Sequence, residues 1–444
     1  MHELLVHFHK LSHVFTASCE IAPTFVSSRI SRVLCINHGK FEMETEYRTR
    51  STTADKTSLS FTLILSAFMA FTSLSTDIYL PAMPAMQKDL GGHAELTVTG
   101  FLLGFAIAQL VWGPISDHLG RKMPLFIGTV LFIIGSVGCA TATSMEMVVF
   151  WRVLQAIGAC TGPMISRAMI RDRYDGNRAA QVLSTLMLIM AAAPIIGPLT
   201  GGSLISLGSW RIIFWLMVVI GVLLFLSARA LPETLPAPQR STEAYKYSFR
   251  NYFQLLTSRS FMVYTLSVTF FYIGAYAFIS GSSTIYIDHF HVSPEHYSLL
   301  FGLNIVGVSI LSMINRQLVA KYQLKTLLAV STTVAFLFSI VLVIAGVTGA
   351  FGLWGIVVPM FFVFSMNGII AACSNAAALN SVPNHLTGSA SALLGSLQYG
   401  SGIIPSILLA VFADSTPKTM TVIITTSLFF AALMGLLGRY SKLS

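Results

Sequence analysis

About twelve separate apolar segments, each close to the twenty or so residues a helix needs to cross a bilayer, run through this chain between residues 59 and 438. They fall at 59–82, 97–115, 123–143, 146–168, 181–207, 211–231, 260–282, 298–316, 324–347, 351–380, 386–411 and 419–438. Hydrocarbon offers no water to backbone N–H and C=O groups, and a lone strand leaves them unpaired, so each segment is read as a helix. Composition rules out a single water-soluble core: 54% of the residues are apolar and 10% charged, with a mean hydropathy of +0.73. The expected fold class is an all-α membrane protein of twelve transmembrane helices, with the lipid bilayer as its solvent.

The basic residues between the segments set the orientation. Arg121, Lys122, Arg167, Arg171, Arg173, Arg178, Arg240, Lys246, Arg250, Arg259, Arg316, Lys321, Lys325, Arg439 and Lys442 fall on one side, and Lys88, Arg211 and Lys418 mark the other. Both termini are therefore expected to be cytoplasmic. The formal charge of +9 forms no continuous basic stripe, so no nucleic-acid partner is expected. Of the cysteines, Cys19 and Cys35 precede the spans, and Cys139, Cys160 and Cys373 lie within them. No C-x-x-C pair occurs, so neither a disulfide framework nor a metal site follows.

The longest polar connection, 232–259, opens with prolines and then alternates aromatic and basic residues (Tyr245, Lys246, Tyr247, Phe249, Arg250, Tyr252, Phe253). Its second part suits an amphipathic segment lying along the headgroups. As a cytoplasmic linker it divides the chain into six-helix bundles, 59–231 and 260–438, with a short tail at 439–444. A worn copy of the 113–122 hairpin at 319–325, keeping a basic residue at Lys325, supports an internal repeat. Residues 1–58 are polar, carry scattered His2, His7, His9, His13 and His38, and have no run of signal-peptide length. They are expected to form a mobile extension. The loop histidines His289, His291 and His296 are expected to be solvated.

One acid stands well inside a span: Asp77, in Thr76-Asp77-Ile-Tyr79-Leu-Pro81. An intramembrane carboxylate costs about 2.5–3.5 kcal/mol on insertion scales and needs a partner or a task. The expected partner is Arg152, the base within the fourth span. Burial and a neighbouring guanidinium act oppositely on a carboxyl, which suits Asp77 to take up and release a proton; the alternative is a static ion pair joining two helices. Gln155 shares a helix face with Arg152, and Gly158 with Gly162 permits close helix approach. In the fifth span Pro194, Gly197, Pro198, Gly201 and Gly202 place a bend and a small-residue groove on one helix. Polar or aromatic residues within spans, Tyr272, Tyr276, Asn304, Asn367, Asn375 and Gln398 beside Gln155, are the candidates for a substrate pocket. Packing is the alternative for each.

The hairpin Gly113-Pro-Ile-Ser-Asp117-His-Leu-Gly120-Arg121-Lys122 is a short charged loop between two spans, with glycines where the backbone turns. Its pattern closely resembles the loop between the second and third helices of major facilitator superfamily transporters, and the fifth span's G-P-x-x-G-G resembles that superfamily's antiporter motif. Ser75-Thr-Asp77-Ile-Tyr79-Leu-Pro81-Ala-Met-Pro84, Trp210-Arg-Ile-Ile-Phe214-Trp215 and Gly388-Ser-Ala-Ser-Ala392 narrow the likeness to the Bcr/CflA group of drug efflux transporters, across about 59–438. The resemblance implies a bacterial inner-membrane antiporter exporting small, mostly apolar drugs of the bicyclomycin type. It would be driven by the proton gradient without a cofactor, and would function as a monomer. It assigns proton coupling to Asp77 and Arg152, and gating to Gly113, Asp117, Gly120, Arg121 and Lys122. Two departures stand out: residues 1–58 have no family counterpart, and His118 replaces the usual Arg. The other readings are export of an endogenous metabolite such as a purine, nucleoside, amino acid or sugar, and a passive channel. A membrane-embedded enzyme lacks support, because no H-E-x-x-H, G-x-S-x-G or phosphate-binding glycine loop is present.

Overall fold

Each apolar segment forms a helix, with ends within a few residues of expectation except where backbone chemistry extends it. The computed structural model describes residues 59–174, 176–206, 208–240, 245–383, 386–412 and 416–440; the 1–58 extension and residues 441–444 lie outside the described residues. Among the described residues eleven helices are long and apolar enough to cross a membrane: Leu59–Leu90, Glu95–Leu119, Lys122–Thr141, Met145–Arg173, Arg211–Ala228, Arg259–His289, Pro294–Leu318, Leu324–Thr348, Gly352–Asn380, Thr387–Val411 and Pro417–Arg439. Between the fourth and the next lies Gly176–Ile205, a helix of 30 residues ending in an apolar stretch. At about 1.5 Å per residue it is long enough to be the fifth of twelve spans. Side chains such as Ile107, Phe150, Val219, Leu223, Leu337 and Ile344 are exposed, forming an outer apolar surface suited to lipid.

From Phe61 onward the chain is one compact unit. The second span packs on the fourth, the third on the fourth and sixth, and the twelfth on the seventh and ninth. The early and late spans meet where the second packs against the eleventh and the fifth against the eighth. Small residues set these approaches: a Cβ on Gly162 would meet the Phe68 carbonyl at 2.6 Å, and one on Gly158 the Phe132 amide at 2.5 Å.

Two departures from regular helix matter for function. In the first span α-helix runs to Asp77, then turns at Ile78–Tyr79 into a 3-10 turn, Leu80–Ala82, before resuming at Met83–Leu90. Pro81 has no N–H to offer the Asp77 carbonyl one turn back, so the ladder breaks at the acid. In the second span Pro114 likewise leaves the Leu110 carbonyl without its helical donor, and the Tyr252 hydroxyl donates to it at 3.0 Å. Tyr252 belongs to the linker helix Tyr245–Thr257, which packs against the seventh and eleventh spans. The linker helix is thus held against the spans along one face. Tyr252 and Leu255 are buried with Phe261, Leu386 and Leu393, while Phe253 and Leu256 on the same helix remain exposed.

Candidate functional site

The break in the helix at Ile78–Tyr79 places Asp77 at a helix end, 7% exposed, beside the fifth span. A methyl group on Gly197 would lie 3.5 Å from the Asp77 Cβ and 3.3 Å from the Ile78 nitrogen, and one on Gly201 would overlap the Ile78 carbonyl oxygen. The Pro/Gly-rich helix is therefore seated on the first span at its acid. On its other side it meets the eighth span, where the Ser298 hydroxyl donates to the Pro198 carbonyl at 2.7 Å. The fifth span bridges the two sets of helices at the level of Asp77.

Arg152 is fully buried, but the expected ion pair with Asp77 is not present among the described residues. Its guanidinium instead lies between the rings of Tyr79 and Phe101, 4.2 and 4.3 Å from their centroids. One nitrogen donates to the Ser75 carbonyl at 3.1 Å and to the Gln155 amide oxygen at 2.7 Å. Nε and Nη2 have no partner. The reason for the difference is local: the first span's break frees carbonyls of its last helical turn, and the guanidinium takes that of Ser75. Gln155 completes the arrangement by donating to the Ser136 hydroxyl at 2.7 Å. Fully buried and engaged at both ends, Gln155 positions Arg152. Sequence reading missed Glu95, which lies just outside the 97–115 run. This second acid is 8% exposed, accepts from the Thr284 hydroxyl at 3.2 Å, and has its Oε2 unpartnered.

The charged hairpin is built around Arg121. Its guanidinium reaches Asp117 at 2.5 Å, Asp172 at 2.9 Å and the Ser116 hydroxyl at 2.9 Å. Glu233, from the start of the linker, accepts from the backbone N–H groups of Arg121 at 2.8 Å and Lys122 at 3.1 Å, and so caps the third span. Gly120 makes room for it: its φ of +92° is a left-handed conformation, and a Cβ there would lie 2.7 Å from the Glu233 carboxylate. Partial burial works against the Glu233 charge, but N–H donors of Arg121, Leu235 and Lys122 and the Arg240 charge outweigh it and hold the carboxyl below its ordinary value. The cap is thus complete above the usual glutamate range and lost only as pH falls through the depressed value, well below neutrality. Lys122 donates to the Arg229 carbonyl at 3.0 Å. His118 has its Nδ1 2.9 Å from the Pro114 carbonyl on its own helix. Tyr252 is pushed up to about 12 by burial and the Asp117 charge, so it stays a neutral donor.

A cavity of about 400 Å³ opens beside this hairpin, lined by Gly113, Asp117 and Arg121 together with Gln109, Arg167, Arg171, Tyr252 and Ser389. None of the pocket candidates named from sequence lines it. They gather elsewhere: the Tyr272 and Tyr276 rings are 5.9 Å apart, and the side chains of Asn367 and Gln398 lie near the Tyr272 hydroxyl. Tyr399, 4.2 Å from Phe105, adds a further aromatic wall that was not expected. The side-chain oxygens of Asn304, Asn367 and Asn375 are buried without partners. Such unpaired acceptors are costly unless something donates to them. No cluster of potential metal ligands occurs among the described residues.

The Major Facilitator Superfamily family model matches residues 63–406. The chain belongs to the major facilitator superfamily. It is 34% identical to the uncharacterized MFS-type transporter YdgK of Bacillus subtilis, over 87% of this chain and 96% of that one. It is 27% identical to a bicyclomycin resistance protein homolog of Haemophilus influenzae (82% and 92% covered) and 28% identical to multidrug resistance protein D of Escherichia coli (78% and 87%). Among solved structures, a D-xylose-proton symporter aligns over 86% of this chain and 96% of its own with a TM-score of 0.65 at 16% identity. The nucleoside transporter NupG aligns over 86% and 100%, with a TM-score of 0.69 at 11% identity. These likenesses carry the fold. The protein is a multi-pass membrane transporter of the bacterial inner membrane, not an enzyme.

Proposed function

We propose that this transporter is a proton-coupled efflux antiporter for small drugs, working by alternating access between its two six-helix halves, 59–231 and 260–438, with both termini in the cytoplasm. The observation that carries the reading is the seat of Asp77. A solitary carboxyl lies at a break in the first span, against the glycine face of the fifth span and near a guanidinium that is not locked to it as an ion pair. A carboxyl so placed can be protonated or ionised without dismantling a salt bridge, and the fifth span on which it rests also contacts the eighth. Protonation is thereby joined to relative movement of the two halves. The printed names of two relatives, a bicyclomycin resistance protein homolog and multidrug resistance protein D, support drugs as cargo. The aromatic wall of Tyr272, Tyr276 and Tyr399 suits flat apolar compounds.

The test is Asp77→Asn, which keeps shape and removes the titratable proton. Inside-out vesicles carrying the variant are expected to show normal abundance and substrate exchange at equal concentrations, but no ΔpH-driven uphill movement of drug. Full uphill transport by the variant overturns the assignment. Export of an endogenous polar metabolite is the second reading, favoured by the buried unpartnered amide oxygens of Asn304, Asn367 and Asn375. Parallel uptake of labelled nucleosides, amino acids and sugars by the same vesicles separates the two.

A further inference from the structure

We propose that the cavity beside the hairpin is an anion-binding vestibule, in which Arg167 anchors the carboxylate or phosphate of an amphipathic organic acid on its way to the tyrosine cluster. This names a substrate class for the transport pathway and rests on the export reading given above. Three guanidiniums line the cavity, those of Arg121, Arg167 and Arg171. Arg121 is committed to Asp117 and Asp172, which are also the acids in the cavity wall. Glu233, the next acid, is turned onto backbone N–H groups. Among the described residues Arg167 makes a single bond, from its Nε to the Pro163 carbonyl 2.8 Å away on its own helix. Neither Arg167 nor Arg171 has an ion-pair partner among the described residues. A guanidinium facing a cavity with its fork unfilled favours an anion over a neutral or cationic ligand.

The surroundings specify the rest of the ligand. Arg167 lies in the neighbourhood of Tyr399, and the Tyr399 ring faces Phe105 at 4.2 Å. Gln109, on the cavity wall, has its amide oxygen held by the Cys160 thiol at 3.3 Å. That leaves its amide nitrogen as a neutral donor close to Gly395 of the eleventh span. An acid with an aryl body therefore meets a cation and the Tyr252 ring in the cavity, with Tyr399 beyond its wall on the way to the tyrosine cluster. The exposed Arg171, one turn nearer the loop, adds attraction at the cavity mouth.

The experiment measures binding by calorimetry to purified full-length protein with three probes: naphthoxyacetate, its methyl ester, and naphthyl phosphate. Wild type is expected to bind both anions about tenfold more tightly than the ester, as a charge-assisted bond of ordinary strength allows. Added salt should weaken the anions alone. Arg167→Gln should erase the preference and leave the ester unchanged, while Arg167→Lys keeps part of it. Should carboxylate bind and phosphate not, the site is a carboxylate site, and the reverse makes it a phosphate site. Equal affinity of acid and ester in wild type overturns the proposal, as does a loss in Arg167→Gln that falls equally on all three. Uphill efflux is read separately in vesicles. Anion preference without any uphill efflux leaves the vestibule standing and refutes the export reading, and drug efflux without anion preference does the opposite.

Discussion

A fully buried guanidinium that makes no ion pair puts its stabilisation in an unusual place. Arg152 is held by two aromatic faces, one backbone carbonyl and one amide. Cation–π contacts are worth about 2 kcal/mol each when desolvated, and each acceptor stranded by removing the donor costs about 1–3 kcal/mol. Arg152→Ala should therefore lower membrane abundance and the thermal midpoint of detergent-purified protein as well as abolish transport. The damage arises from Ser75, Gln155 and the two rings rather than from an orphaned Asp77. Arg152→Lys should fail almost as badly, since a compact ammonium neither stacks flat between rings nor donates in a fork. A lysine variant with wild-type melting and transport would contradict this account. Sequence alone singled out both Asp77 and Arg152, because charges are rare in apolar runs. It could not tell a pair from two separate sites, since that depends on which carbonyl the Pro81 break exposes.

At the scale of elements the fifth span decides how the first can move. Its glycines were legible as a groove, but not which helix fills the groove. That helix is the first, at Ile78 and Asp77. Gly201→Ala places a methyl group over the Ile78 carbonyl, and overpacking of a tight contact costs about 1–3 kcal/mol. The expected outcome is a lower thermal midpoint together with loss of ΔpH-driven export. Gly113→Ala, where nothing lies within 4 Å of an added Cβ, should leave the midpoint unchanged. If both variants melt alike, the contact is not tight in the membrane. The spans themselves were readable in number and place because hydrocarbon leaves little alternative to helix, though the first and seventh run seven or eight residues beyond their expected ends. Glu233 was not readable as the cap of a loop more than a hundred residues earlier, since nothing in the linker's composition points to a helix end. Glu95 escaped because it sits just outside an apolar run, where an acid normally meets water. Burial comes from Thr284 on the seventh span instead.

For the whole molecule, the alternating access proposed above requires the second and eleventh spans to part on the hairpin side, against specific hydrogen bonds there. The Ser396 hydroxyl donates to the Ala106 carbonyl at 2.9 Å, and one turn nearer the hairpin the Tyr252 hydroxyl donates to the Leu110 carbonyl at 3.0 Å. The second bond exists because Pro114 cannot make it. A proline in one half thus creates the acceptor that a tyrosine of the linker helix closes, tying the linker to the second span. Tyr252→Phe should strand that carbonyl in the closed arrangement and shift the population toward the open one by about 1 kcal/mol, roughly a fivefold change. The readout is the labelling rate of Ser389→Cys, on the cavity wall, by a membrane-impermeant thiol reagent in inside-out vesicles, with Cys19 and Cys35 replaced by serine. Pro114→Ala restores an N–H for Leu110, so in that background Tyr252→Phe should accelerate labelling far less. The coupling between the two substitutions, taken around a double-mutant cycle, should approach the full effect of Tyr252→Phe alone. Additive effects would mean that Tyr252 holds the gate through packing with Leu386 and Leu393, and that the freed carbonyl plays no part in closing it.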